Sequence, residues 1–359
     1  MPAFTLLLYV SAIAQDVHHI ADSIRMRRRV PGLVYAVISS DKILQSGAAG
    51  FKQLRGKDSI SISNRFHIGN ATASFTAFIA AQLVAKGKIV WTTRLIQQLP
   101  LLAKKARPEY KSITLVDLLS QQAGFPSFNI YTDFANVPVH SGTLAVQRYK
   151  LVEWLVLQPS KIDTTVKRTA KFSNANTAVA VAMLERASGK SWEELVREYL
   201  NKPLGISIKT GWPNKLSPAE PWGHWDEGDR FTPLDPNHWF TIPGTFTGAA
   251  DANITLGDYI KFIQDELRGL RGQKAVFPAR TYDLMHYAYP NYAIGWANLE
   301  VANNHISECD GTMGTFYSHV EIIKEKNIAV IVMANAGDNS AKGACLNLAR
   351  MLREMYVRF

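Results

Sequence analysis

The stretch from Arg65 to Leu83 limits most tightly what this chain can fold into. A short run, Arg65-Phe66-His67-Ile68, ends at Gly69, and apolar Phe75, Phe78, Ile79 and Leu83 then recur at helical spacing. That spacing predicts an amphipathic helix with one buried face. Asn70 stands where an N-cap belongs, because its side-chain oxygen can accept an otherwise orphaned backbone N–H of the first turn.

Around this stretch the chain alternates strand and helix patterns. Residues 16–29 read as a helix that ends at Val30-Pro31-Gly32, and 33–40 as a strand turned at Asp41-Lys42 onto a hairpin partner at 43–47. Residues 145–157 are helical in pattern, and the Pro- and Trp-rich section Trp212 to Pro243 reads as long loops. Ile328 to Asn335 is apolar enough for a strand buried on both faces. A helix from about 340 to 357 closes the chain.

With 359 residues, 47% hydrophobic and 19% charged, the chain has the means to bury a large core, which excludes a disordered protein. The net charge of +10 reads as a solvated basic exterior. Its basic clusters, Arg25 to Arg29 and Lys104-Lys105, carry no interleaved aromatics, which disfavours nucleic acid as a partner. Cys309 and Cys345 match no metal-ligand spacing, and the nine histidines form no H-E-x-x-H pattern, so neither a metal nor a cofactor is expected. Whether the two cysteines pair is open, as is the oligomeric state. Residues 1–15 hold an apolar run and an Ala12-Ile13-Ala14 site of signal-peptide type, which points to a periplasmic or secreted protein, the alternative being a cytoplasmic one. No run reaches the roughly 20 apolar residues of a membrane span.

The segment Phe66 to Phe78 resembles the nucleophile helix of the serine β-lactamase and DD-peptidase (penicillin-binding-protein-like) superfamily, in its class C or esterase-like branch. That family reads roughly F-x-I-G-S-x-T-K-x-F-T-A here. Its serine attacks a carbonyl, and its lysine, one turn later, helps remove the proton. Asn70 stands in the serine's place and Ala73 in the lysine's.

Further landmarks follow in family order. Ile113 to Pro126 resembles I-T-x-x-x-L-L-x-H-T-S-G-x-P, with Gln121-Gln122-Ala123 replacing His-Thr-Ser. Lys171 to Thr177 resembles the Y-S-N segment, with Phe172 for the tyrosine and Asn174 retained. Ala250 to Phe262 resembles the return helix, and Tyr292 to Trp296 the Y-x-x-G-W strand. Glu308 to Phe316 resembles the G-H-x-G-x-x-G-x-F strand, with Cys309 where the histidine would stand.

The resemblance implies an α/β (α+β) fold, an antiparallel sheet flanked by terminal helices with an inserted, mainly helical lobe. Residues 16–65 together with 245–359 would form the sheet lobe, and 66–244 the helical one. It implies a ligand cleft lined by Asn70, Gln121, Phe172, Asn174, Asp310, Gly311 and Thr312, open to a small-molecule, peptide or cell-wall-like ligand. The four family positions Asn70, Ala73, Phe172 and Cys309 carry none of the expected chemistry. An amide is no acyl acceptor, alanine has nothing to titrate, and phenylalanine lacks the hydroxyl. Loss of the nucleophile alone costs on the order of a million-fold in turnover. The expectation is therefore a catalytically inactive relative that keeps its cleft. The alternative is an active hydrolase that uses unconventional groups, with Ser74, Cys309 or Asp310 involved.

Overall fold

The computed structural model describes residues 16–161, 169–228, 230–301, 303–337 and 339–357, so the signal-like residues 1–15 lie outside it. Helix α1 (16–27) stops ahead of Val30-Pro31-Gly32, where proline and glycine break helical geometry. The apolar run beyond forms β1 (Gly32–Ile38), buried along its whole length, which turns into β2 (Ile43–Gly50). Next come β3 (Arg65–Gly69) and α2 (Thr72–Ala85), then α3 (Leu144–Leu155) and α4 (Asn174–Ser188), separated by short helical turns. A two-residue β4 (Lys209–Thr210), a small hairpin of β5 (His224–Asp226) and β6 (Phe231–Pro233), and β7 (Ala252–Thr255) follow. Helices α5 (Leu256–Leu270) and α6 (Ala279–Tyr287) precede β8 (Ala297–Val301), β9 (Asn304–Thr312), β10 (Tyr317–Ile323) and β11 (Ile328–Ala334). The terminal helix is α7 (Asn339–Tyr356).

Six strands make one antiparallel sheet in the order β2-β1-β11-β10-β9-β8. The last strand thus pairs with the first, and β11 is buried throughout because helices cover both faces. Side chains alternate across a strand. Tyr35, Val37, Val330 and Val332 pack with α1 and α7, whereas Val34, Ala36, Ile331 and Met333 join the larger core that holds α2, α4 and α5. Within the helices, the fully buried Arg148 on α3 forms ion pairs with Glu185 and with Glu193, the latter at 2.6 Å. Among the described residues no helix is long and apolar enough to cross a membrane.

Four expectations need correction. Helix α2 is buried nearly all round rather than on one face, since Thr72, Ser74 and Thr76 are as hidden as Phe75 and Phe78. It begins at Thr72, with Ala71 at the cap position and no side-chain cap, so Asn70 is not its N-cap. The segment taken for a return helix starts as strand β7, and α5 begins only at Leu256. The long-loop section contains the β5–β6 hairpin.

Candidate functional site

Two glycines bring the head of α2 against β9. Gly69 adopts the left-handed conformation at φ 53°, and a Cβ built on it would lie 2.4 Å from the Thr312 backbone. A Cβ on Gly311 would lie 1.8 Å from the Ile68 carbonyl oxygen. Only glycine fits at so close an approach of two backbones. His67 fixes the turn. Its Nδ1 accepts the Gly69 N–H at 3.1 Å, its Nε2 faces Asp251 at 3.2 Å, and its ring packs against Trp212, tilted by 37° with centroids 4.3 Å apart. Burial raises the Asp251 carboxyl above its ordinary value, although His67 works the other way.

The tight turn releases the Asn70 side chain from the helix and aims it across the gap. Its Oδ1 accepts the backbone N–H of Thr312 at 2.9 Å. Two cavities meet at this side chain. One, of about 210 Å³, is lined by Asn70, Phe172, Tyr292, Glu308, Cys309 and Asp310, among others. The other, of about 550 Å³, is polar and includes Asn70, Asp226, Asp310, Thr312, Asn339 and Lys342 in its wall.

Burial raises the titratable neighbours of Asn70, with opposite consequences for the thiol and phenol, which stay protonated at neutral pH, and for the Glu308 carboxyl, which is moved toward neutrality. Burial pushes the Cys309 thiol up to about 12. It also raises the Tyr292 phenol, and Glu308 is raised by the same cause. The Phe172 ring meets Tyr292 edge-on, with centroids 5.9 Å apart, and offers no hydroxyl. Asp310 behaves differently. Burial opposes its ionisation, but hydrogen bonds from His319 and Tyr317, together with the charges of His319 and Lys342, hold its carboxyl below the ordinary range.

Asp310 and Cys309 are adjacent on β9 and therefore face opposite sides of the sheet. Cys309 pairs in register with Val320 and packs in the larger core, whereas Asp310 pairs with His319 on the face covered by α7. Burial works against a charged His319, yet carboxylates on both ring nitrogens, Asp310 and Glu321, raise it to about 10. Arg353 of α7 completes the chain by pairing with Glu321 at 2.8 Å. A histidinium locked between two carboxylates is not a free base for Cys309. The thiol is not activated by its neighbour.

Asn70, Phe172, Cys309, Asp310, Gly311 and Thr312 are thus brought together. Ala73 sits below them, 2% exposed and outside both cavity walls. Gln121 and Asn174 do not line the cavities either. Gln121, buried and left-handed at φ 62°, accepts from the Ser173 N–H at 2.9 Å and from Asn176 Nδ2 at 2.8 Å. Asn174 donates to the Phe128 carbonyl at 2.7 Å. Both hold the segment that presents Phe172. Ser74, fully buried, donates to the Ala71 carbonyl at 2.8 Å. The two cysteines are buried and are not joined in a disulfide.

Several wall residues were missed, among them Tyr292, Glu308, Asp226, Asn339 and Lys342. Tyr292 had a signal in its Y-x-x-G-W run, read only as a strand of the family pattern. Asp226 and Lys342 had none, being carried in by a hairpin and by the first turn of α7.

A family model described as Beta-lactamase matches residues 12–352. Among curated relatives, Unguisins hydrolase ungD' of Aspergillus campestris (strain IBT 28561) is 25% identical over 340 residues, covering 89% of this chain and 61% of that protein. Penicillin-binding protein 4 of Amycolatopsis lactamdurans is 23% identical over 331 residues, covering 88% of this chain and 84% of that protein. The octameric penicillin-binding protein homologue from Pyrococcus abyssi superposes with a TM-score of 0.74 at 17% identity, covering 94% of this chain and 77% of that one. A beta-lactamase from Sulfitobacter sp. EE-36 gives 0.73 at 18% identity, covering 95% and 99%. These structures share the fold of the present one, with its antiparallel sheet and surrounding helices, and with a match over nearly its whole length the chain belongs to the Beta-lactamase family.

Proposed function

We propose that this chain is a catalytically silent member of its family that keeps the cleft at Asn70 as a binding site for a small peptide-, ester- or cell-wall-like molecule. One observation carries the reading, the Asn70 side chain at the position of the family's nucleophile, hydrogen-bonded to the Thr312 N–H. A backbone donor aimed across an acyl-transfer cleft would have to be free for the oxygen of the reacting carbonyl. Here an internal amide oxygen occupies it. The absence of a titratable group at Ala73 and Phe172, and the raised Cys309 thiol, support the same reading.

In this proposal the cleft lies between a sheet lobe (16–65 with 245–359) and a helical lobe (66–244). The family positions replaced by asparagine, alanine and phenylalanine keep the fold sound while removing the chemistry. A relative named a penicillin-binding protein and another named a hydrolase make a penicillin and a short peptide natural first probes. Export to the periplasm or the medium is part of the proposal and rests on residues 1–15 alone.

The test is ligand-observed NMR with benzylpenicillin and with a peptidoglycan stem peptide, run beside an assay for hydrolysis. The expected result is saturable binding of at least one probe with no product. Product formation at a rate above that of heat-unfolded protein would overturn the reading.

A further inference from the structure

A third cavity, of about 470 Å³, opens at the end of α1, between the residues that follow β2 and the β5–β6 hairpin. It shares no wall residue with the two cavities at Asn70. Its volume falls within the roughly 300–1,000 Å³ of small-molecule sites.

The floor is apolar. Met26, Val30, Pro31, Phe51, Leu54 and Phe231 form it, and two of them are unusually open for their type, Met26 at 56% and Phe51 at 40% exposed. Around this floor stand four guanidinium groups, Arg25, Arg29, Arg55 and Arg230, and among the described residues no acidic side chain enters the wall. Arg25 is committed to the chain itself, with Nε and Nη2 on Asp22 at 2.8 and 2.7 Å and Nη1 on the Val30 carbonyl at 3.2 Å. Arg230 is held by Glu227 at 2.9 Å. Against four arginines stand the two carboxylates Asp22 and Glu227, so among the described residues the rim keeps a net positive charge.

Apolar floor and cationic rim impose separate demands on an occupant. A neutral hydrocarbon leaves the guanidinium forks unused, and a small inorganic anion leaves Met26 and Phe51 in water. A carboxylate on an alkyl chain meets both, since the planar guanidinium matches a carboxylate with two parallel hydrogen bonds. We propose that this groove binds a single-chain anionic amphiphile of fatty-acid type, its carboxylate on the arginine rim and its alkyl chain over Met26, Phe51, Leu54 and Phe231. The proposal does not depend on the reading of the Asn70 cleft.

The test titrates the full chain calorimetrically with decanoate, decanol and decyltrimethylammonium, each kept below its micelle concentration. Decanoate is expected to bind one-to-one, with decanol about tenfold weaker and the cation showing no saturable binding. Two variants probe the two halves of the site. Arg55→Asn removes a rim charge at a left-handed position, φ 62°, that asparagine tolerates. It should weaken decanoate several-fold at low salt and less at high salt. Met26→Glu places a carboxylate on the floor from an exposed helical position and should abolish decanoate binding. Asn70→Ala should leave decanoate binding unchanged, which separates this groove from the cleft. Equal binding of all three head groups, or unaltered decanoate binding in both Arg55→Asn and Met26→Glu, would overturn the proposal. So would attachment to phosphatidylglycerol vesicles without any binding of monomeric decanoate, since the occupant would then be a membrane surface.

Discussion

The Asn70 side-chain oxygen and the Thr312 backbone N–H lie 2.9 Å apart and join the head of α2 to the end of β9. This contact exists because Gly69 and Gly311 let two backbones approach more closely than any Cβ allows. It places an acceptor of the chain's own where an external carbonyl oxygen would otherwise find a donor.

Replacing that acceptor should not by itself create an enzyme. Asn70→Ser supplies a hydroxyl, but Ala73 and Phe172 cannot take its proton, and the Cys309 thiol titrates only at about 12. The carboxylates of that cavity wall, Glu308 and Asp310, have no lysine or tyrosine partner at the family positions to relay the proton. Hydrolysis of a chromogenic cephalosporin by this variant is expected to stay at background. A rate clearly above background would mean that a working base sits in the cavity.

The cysteines should be silent in the folded chain. Cys309 is 6% exposed with its thiol raised by burial, and Cys345 is fully buried. Only the thiolate reacts at a useful rate. Ellman's reagent at pH 7.5 should therefore titrate neither thiol in native protein and both after unfolding in guanidinium. Rapid reaction of one native thiol would contradict the burial of Cys309.

How much of this was legible in the sequence differs from element to element. The apolar run of β11, the Gly69 turn and the terminal helix could be read, because each follows from local pattern and chain chemistry. Helix α2 was misjudged as one-sided. Two of its small polar residues bond to distant backbone, Thr72 Oγ1 accepting from the Ala252 N–H at 3.0 Å and Thr76 Oγ1 donating to the Gly248 carbonyl at 2.6 Å, and periodicity carries no trace of that. Asn70 had the chemistry of an N-cap, but the Thr312 N–H, 242 residues away in sequence, claimed its side chain instead. Gln121 and Asn174 were placed in the right neighbourhood, yet the Gln121 amide and the Asn174 Nδ2 are turned to backbone and side-chain bonds behind the wall. Asp226 and Lys342 reach the cavity only through tertiary packing.

Stability should fall as pH rises from neutrality. His319 is raised to about 10 by Asp310 and Glu321 against the opposing effect of burial. A group whose folded value is raised contributes fully below its unfolded value, about 6.5, and loses that contribution as pH climbs through the folded value. Asp310 and Glu321 are lowered, so their share is present above the ordinary carboxylate range and is lost on acidification. His319→Gln should lower stability at pH 6, because it leaves the buried Glu321 carboxylate with Arg353 as its remaining partner while Asp310, half open to solvent, is affected less, and the loss should shrink near pH 10. Urea unfolding at the two pH values measures the difference, and an equal cost at both would contradict the charged state of His319.

The buried Arg148 offers a test of the helical core. Its guanidinium is fully hidden and binds Glu185 and Glu193. Arg148→Met keeps much of the side-chain volume but leaves two carboxylates without their cation, an expected loss of about 3–5 kcal/mol in urea unfolding. A loss below about 1 kcal/mol would show that the two glutamates find other partners.

Catalytic silence is tested most directly by the intact mass of the pure protein after separate incubations with benzylpenicillin and with a fluorophosphonate, beside an active serine β-lactamase treated in the same way. The expected outcome is an unchanged mass with both reagents while the active enzyme is labelled. A stoichiometric adduct on this chain, mapped to Ser74, Cys309 or any other residue, would contradict the account and identify a nucleophile.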